Sequence, residues 1–252
     1  YLRRMLPYLR NQSEDCLYLN IYAPVQADHR QTPVRCPVMV FIHGESYEWS
    51  SGNLYDGTIL SSYGSLVVVT VNYRLGLLGF LNANSDTELK SPANYGLMDQ
   101  IAALHWIQEN IASFGGDPGN VTLLGHGTGA ASVNFLMISS AVPEGILFHR
   151  SILMSGSALS PWALVRDPVT SAKQVAHSVN CSTEVSHSHL LKCLREKPLE
   201  ALLSAPIEAA DIPWVFGPSV DGVVIDSSRS DLKNAQSQRE RRANGDYTDQ
   251  NP

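Results

Sequence analysis

Residues 125–129 read Gly-His-Gly-Thr-Gly and follow directly on the apolar run Val-Thr-Leu-Leu. With serine at its centre, G-x-S-x-G is a nucleophile elbow: a sharp strand-to-helix turn lifts the middle side chain above a sheet, and the flanking glycines let the backbone fold that tightly. The chemistry it serves is acyl transfer through a covalent intermediate. Here the middle residue is Gly127, which offers no side chain for the attack. Neither neighbour replaces it: Thr128 is expected to turn into the following helix and contribute its backbone N–H, and nothing aims His126 at a substrate. A dinucleotide-binding turn is the other reading of a glycine-rich junction. Gly125, Gly127 and Gly129 come without the Arg, Lys or ribose-binding acid that such a turn needs.

The elements that must hold these residues follow from the apolar patterning. "VMVFIHG" and "LVVVTVNYR" are β-branched runs closed by polar or glycine-containing turns and predict buried strands. Leu97, Ile101, Leu104, Ile107 and Ile111 recur at helical spacing, and that helix is expected to end at Gly115-Gly116, with the turn Asp117-Pro118-Gly119 beyond. "VTLLG" predicts the next strand, "TGAASVNFLMI" a helix of small residues, and "RSILMSGS" a further strand. Residues 167–180 and 187–204 are expected to form helices outside the sheet. This alternation specifies an α/β fold with a mainly parallel central sheet and helices on both faces. From residue 227 the character changes: 227–252 contains no Val, Ile, Phe or Met and is expected to be a polar, disordered tail.

Composition narrows the function. The chain has 252 residues, 44% of them hydrophobic and 17% charged, with a net charge of −6. That balance argues against a general affinity for nucleic acid or anionic lipid, both of which need a basic surface. The chain contains no apolar run of the roughly 18 residues that would span a bilayer, and its opening lacks a signal peptide's long apolar stretch. Because it opens on Tyr1, that lack says little about targeting. The eight histidines are scattered; His187 and His189 read as solvated loop residues, and no metal site is expected.

Cysteine spacing excludes a C-x-x-C metal or redox motif. Cys181 and Cys193 flank a short polar loop, where a bridge would close a small ring; two buried thiols are the alternative. Three Asn-x-Ser/Thr triplets, at Asn11, Asn120 and Asn180, are glycosylation candidates. Asn180 stands out because it sits beside the cysteine ring.

Four stretches carry more specific wording: "SEDCLYLNIYAP", "VFIHGESYEWSSGNLYDG", "VNYRLGLLGFL" with "NYGLMDQIAALHWIQENIASFGGDP", and "FGPSVDGVVI". In this order they resemble the type-B carboxylesterase and cholinesterase family, from Ser13 to Asp226. "GNLYDG", "SYGSLVVVTVNYRLG" and "MSGSALSPWA" are most similar to its neuroligin branch, in particular the invertebrate members. The resemblance implies the α/β-hydrolase fold, here truncated: a partial domain over 1–226, with 227–252 outside the family pattern. It also implies a catalytically silent adhesion glycoprotein on the extracellular side of the synaptic membrane. Such a protein binds a neurexin-like surface protein, with calcium only at the partner interface and no cofactor of its own, and forms a homodimer when complete.

Active relatives carry a glycine pair or triple after the histidine equivalent to His43, so that bare N–H groups face the developing oxyanion. Here the run is His43-Gly44-Glu45-Ser46. Glu45 puts a Cβ, and in one orientation a carboxylate, where a permissive backbone is usual. The family's triad acid and histidine would lie beyond Asp226, so no residue is assigned to them and hydrolysis is not expected. The resemblance matches Cys181–Cys193 to a loop disulfide and gives Cys16 a partner upstream of Tyr1. It assigns Cys36 no role, and a Cys16–Cys36 bridge is the alternative pairing. Two other functional readings stand beside adhesion at synapses: a carboxylesterase that has lost its serine, and a silent member of the neurotactin or gliotactin kind at non-synaptic junctions.

Overall fold

A computed structural model of the chain describes residues 2–25, 35–84, 91–207 and 215–226. The expected tail, 227–252, lies outside the described residues.

The chain opens with helix α1 (Leu2–Leu9), followed by the short strand β1 (Leu19–Tyr22). β2 (Cys36–Ile42) leads through a 3₁₀ turn at Gly52–Leu54 to α2 (Thr58–Gly64) and β3 (Val67–Val71). The short α3 (Gly76–Phe80) and the 16-residue α4 (Tyr95–Asn110) come next. After them run β4 (Gly116–His126), α5 (Thr128–Ile138) and β5 (Arg150–Met154). Three outer helices follow: α6 (Pro168–Ser178), α7 (His187–Arg195) and α8 (Leu199–Leu203).

The strands form one sheet in the order β1-β3-β2-β4-β5. β1 is antiparallel to β3 and the other pairs are parallel, so the sheet is mainly parallel. All five residues of β3 are buried, as a β-branched run in the middle of a covered sheet should be. One apolar cluster joins alternate residues of the central strands, such as Val40, Val69 and Leu123, to Leu104 and Ile107 of α4 and Val133 and Leu136 of α5. The opposite face carries α2, whose preceding Gly57 lies against Tyr22 and Val68, and the Gly52–Leu54 turn, beyond which Tyr55 packs on Phe41. A second cluster lies away from the strands, where Phe80, Leu97 and Phe135 meet Val175 of α6 and Leu190 of α7.

Two local expectations need correction. Residues 187–204 do not form one helix. Pro198 sits at φ −57° and ψ 140°, starts α8, and separates it from α7. Proline has no N–H to donate and pushes the preceding residue out of the helical region. The Asp117-Pro118-Gly119 turn, for its part, does not precede a separate strand. It bulges out of β4: Gly116 pairs with Cys36 and Val121 with Val38, so the intervening residues loop outward, and the Asp117 carboxylate accepts the Gly119 N–H at 2.9 Å. The helix through Ile111 ends as expected, with a 3₁₀ turn over Ile111–Phe114 and Gly115 left-handed at φ 81°.

Candidate functional site

The candidate site lies where β2 and β4 end side by side. β4 stops at His126, and α5 starts two residues later at Thr128. Between them Gly127 takes φ 56° and ψ −119°, a conformation that residues with a Cβ rarely adopt. Its N–H donates to Met154 O at 2.9 Å and its carbonyl accepts from Ala131 N at 3.1 Å, which ties the turn to both β5 and α5. A Cβ built on Gly127 meets nothing within 4 Å. The sharp turn and the open space above it are both present; the side chain is not.

Across from it, Gly44 follows His43 at the end of β2. A Cβ there would run into His126 O and the amide nitrogens of Gly129 and Thr128, so β2 and the elbow touch backbone to backbone. Glu45 is partly exposed and is not among the residues of positive φ. The left-handed backbone falls instead on the next two residues, Ser46 and Tyr47, both at φ 57°. Tyr47 is wholly buried, with its ring against Phe80 and its hydroxyl donating to Ala163 O at 3.2 Å.

His43 is not poised to act on a substrate. It is 1% exposed and stacked on Tyr73 at 4.5 Å, and the Tyr73 hydroxyl donates to its carbonyl oxygen at 2.6 Å. Burial pushes its pKa down to about 3, so the ring is neutral at ordinary pH. Of the elbow residues, His126 is exposed, while Thr128 is buried within the first turn of α5. Thr128 Oγ1 has no hydrogen-bond partner there, so this hydroxyl points into packed protein and away from solvent.

Sequence reasoning missed a buried anchor at the start of α4. The segment 215–226 is bound to the start of α4 by two buried side chains. Asn94 exchanges hydrogen bonds with the Ser219 backbone, at 2.8 and 3.0 Å. One oxygen of Asp221 accepts from the N–H groups of Val223, Val224 and Ile225, and the other from Ala93. Asp99 of α4, in turn, holds Arg74 by two side-chain bonds of 2.8 Å and its backbone N–H at 3.0 Å. The acid in "PSVDG" and its turn onto Val223–Ile225 were local signals, but its other partner, Ala93, lies 128 residues away in the chain.

The remaining candidates are peripheral. Cys181 and Cys193 are joined, which ties the end of α6 to the last turn of α7. Cys16 and Cys36 are in no disulfide, so the alternative bridge between them is not formed. Burial raises the Cys16 pKa and keeps its thiol protonated. Asn180 and Asn11 are exposed, whereas Asn120 accepts a 2.7 Å hydrogen bond from Arg150. His189 is exposed and paired with Ser186. Among the described residues no group of three metal-binding side chains occurs, and no helix is long and apolar enough to cross a membrane.

Comparison with known proteins decides the family. Residues 3–243 match the Carboxylesterase family. The chain belongs to the carboxylesterase family. The strand-to-helix junction at Gly127 lies within the matched residues. Among curated relatives, human (Homo sapiens) Neuroligin-2 is 43% identical over 235 residues, covering 86% of this chain and 27% of that protein. Mouse (Mus musculus) Neuroligin-3 is 42% identical over 238 residues, covering 86% and 28%. Neuroligin-1 of Caenorhabditis elegans is 40% identical over 233 residues, covering 88% and 29%. This carboxylesterase-family chain therefore spans less than a third of the length of the relatives it matches, and within the family its similarity runs to neuroligins, an invertebrate one included.

Proposed function

We propose that this chain is part of a catalytically silent, neuroligin-like cell-adhesion protein, with a partial cholinesterase-like domain whose packed part spans 1–226, while the family match runs on to residue 243. The observation that carries the reading is Gly127: the elbow keeps its strained backbone and its open space with no group able to attack. Around it, His43 is buried and neutral, and Glu45 stands in the run where acyl-transfer sites place bare glycines. Similarity to neuroligins supplies the positive half: a neurexin-like partner on an apposed cell, calcium at that interface, and a homodimeric, glycosylated parent on the extracellular side of a synaptic membrane. The protein itself needs no cofactor.

The test is a chimaera in which this chain replaces the matching region of human Neuroligin-2, displayed on cells and offered a soluble neurexin ectodomain with and without calcium. Calcium-dependent capture is the expected result. A chimaera that reaches the surface folded and captures nothing would sink the adhesion reading.

The preserved space at Gly127 favours one rival, an esterase that has lost only its serine. Gly127→Ser in the same chimaera separates the two. Hydrolysis of a phenyl ester restored by that single change would favour the esterase, and its continued absence is what the silent reading expects.

A further inference from the structure

The three Asn-x-Ser/Thr triplets occupy different surroundings. Asn120 stands at the bulge of β4 and is held by Arg150, and its Thr122 is locked in the ladder between Met39 and Arg150. Asn11 follows α1 on the surface. Asn180 is exposed at the end of α6, and among the described residues its side chain has no hydrogen-bond partner. Its backbone is left-handed, at φ 56°, a conformation asparagine tolerates better than other residues with a Cβ, and its N–H closes the helix on His177 O at 3.2 Å. A groove of about 390 Å³ beside it, lined by Lys197, Ala201 and Ser204, leaves room for a sugar.

The middle residue of this triplet is one half of the disulfide. Cys181 is 5% exposed, donates its N–H to Ala176 O at 2.8 Å and is bonded to Cys193, whereas Asn180 and Ser182 on either side face solvent. Asn180 and the bridge thus point in opposite directions, and the folded chain accommodates both. Adding the glycan is another matter. A closed bridge and the Cys181 N–H bond to Ala176 O pin the centre of the triplet, which leaves less freedom for the chain to fit a modifying enzyme's cleft.

We propose that Asn180 carries an N-linked glycan, and that closure of the Cys181–Cys193 bridge sets the fraction of chains that acquire it. In the glycan step, Asn180 Nδ2 bonds to the anomeric carbon of a lipid-diphosphate oligosaccharide. The anomeric C–O bond breaks, the lipid diphosphate leaves with its electron pair, and the amide gives up one proton. In the competing step, the two thiols give two protons and two electrons to the disulfide of an oxidoreductase, which leaves as a dithiol. Cys193 follows Cys181 by 12 residues. At a synthesis rate of about 5–20 residues per second, it trails by roughly 0.6 to 2.4 seconds. Bridge formation takes seconds to hours, so the two events overlap in time. The bridge blocks the glycan; the glycan does not block the bridge. The inference rests only on passage through an oxidising secretory lumen and is independent of the adhesion reading.

The test sends the full 252-residue chain into the secretory pathway of insect cells behind a cleavable leader. Occupancy of Asn180 is read in whole-cell extract by peptide mass after enzymatic deglycosylation in heavy-oxygen water, so the result does not depend on whether a variant folds. The parent is expected to be partly glycosylated at Asn180. Cys193→Ser is expected to raise occupancy about twofold or to saturation, because the rival step is gone. Ser182→Thr raises it with the bridge intact, and glycosylated parent chains still contain the bridge. Asn180 unmodified in both the parent and Cys193→Ser would overturn the site. Equal occupancy in the two would overturn the coupling.

Discussion

At position 127 the chain holds a conformation that costs a residue with a Cβ about 1–3 kcal/mol, and glycine removes that cost. Because a side chain there meets open space, Gly127→Ser is expected to fold with its urea midpoint lowered by an amount worth about 1–2 kcal/mol. Gly44→Ala has no such room and should cost more, about 3 kcal/mol or above, since backbone atoms on two strands must separate. Equal midpoints for the two variants would contradict the backbone-to-backbone junction. His43 makes a different prediction. Its folded pKa, about 3, lies below the ordinary value of 6.5, so the unfolded chain takes up the proton first. Stability from this residue is complete above the ordinary value and is lost as pH falls toward the folded one, at about 1.4 kcal/mol per pH unit. His43→Phe, which can keep the stack on Tyr73, should flatten that part of the acid slope. An unchanged slope in chemical denaturation at a series of pH values would show that another group titrates.

At the scale of elements, Asp221 joins the start of α4 to a segment that belongs to no helix or strand. Removing its carboxylate leaves four or more N–H groups without a partner, the loss expected to cost most in a buried site. Asp221→Ala should lower stability by about 3 kcal/mol or more, and Asp221→Asn by less, because one oxygen still accepts from Val223, Val224 and Ile225. A urea midpoint for Asp221→Ala matching the parent would show that the segment is not held this way. This anchor also marks the limit of what the sequence reveals. β2, β3 and α4 were legible because burial on both faces demands β-branched runs and one covered face demands helical spacing, and both leave a local pattern. The strand-to-helix junction was legible for a similar reason: its three glycines fall within five consecutive residues. The turn from Asp221 to Ile225 is local, but the bonds of Asp221 to Ala93 and of Asn94 to Ser219 cross the fold, and nothing near these residues encodes the distant partner. Pro198 is a different case, since the signal that splits α7 from α8 was local and only its strength was misjudged.

Across the whole molecule, the two faces of the sheet are unequally covered. Among the described residues, α4 and α5 seal one face, while on the other the covering elements lie on the side near β3 and β2. Toward β5 the register sets Leu124, Ile152 and Met154 on that second face, with Ile152 43% and Met154 40% exposed. Among the described residues no strand pairs with the outer edge of β5. An apolar outer strand with free backbone groups is a template for another chain, and charged side chains on such a strand are the usual protection. The isolated 252-residue chain is therefore expected to self-associate at micromolar concentration, with the β5 edge at the contact. Ile152→Lys together with Met154→Lys places two like charges on that face without touching the buried cluster behind it. Sedimentation velocity of the parent and the double variant at matched concentration checks this: the variant should remain monomeric where the parent forms larger species. If both sediment alike as large species, the association runs through another surface, and the groove between Leu17 and Trp106 becomes the next place to introduce charge. If both stay monomeric, the β5 edge is protected by residues outside those described.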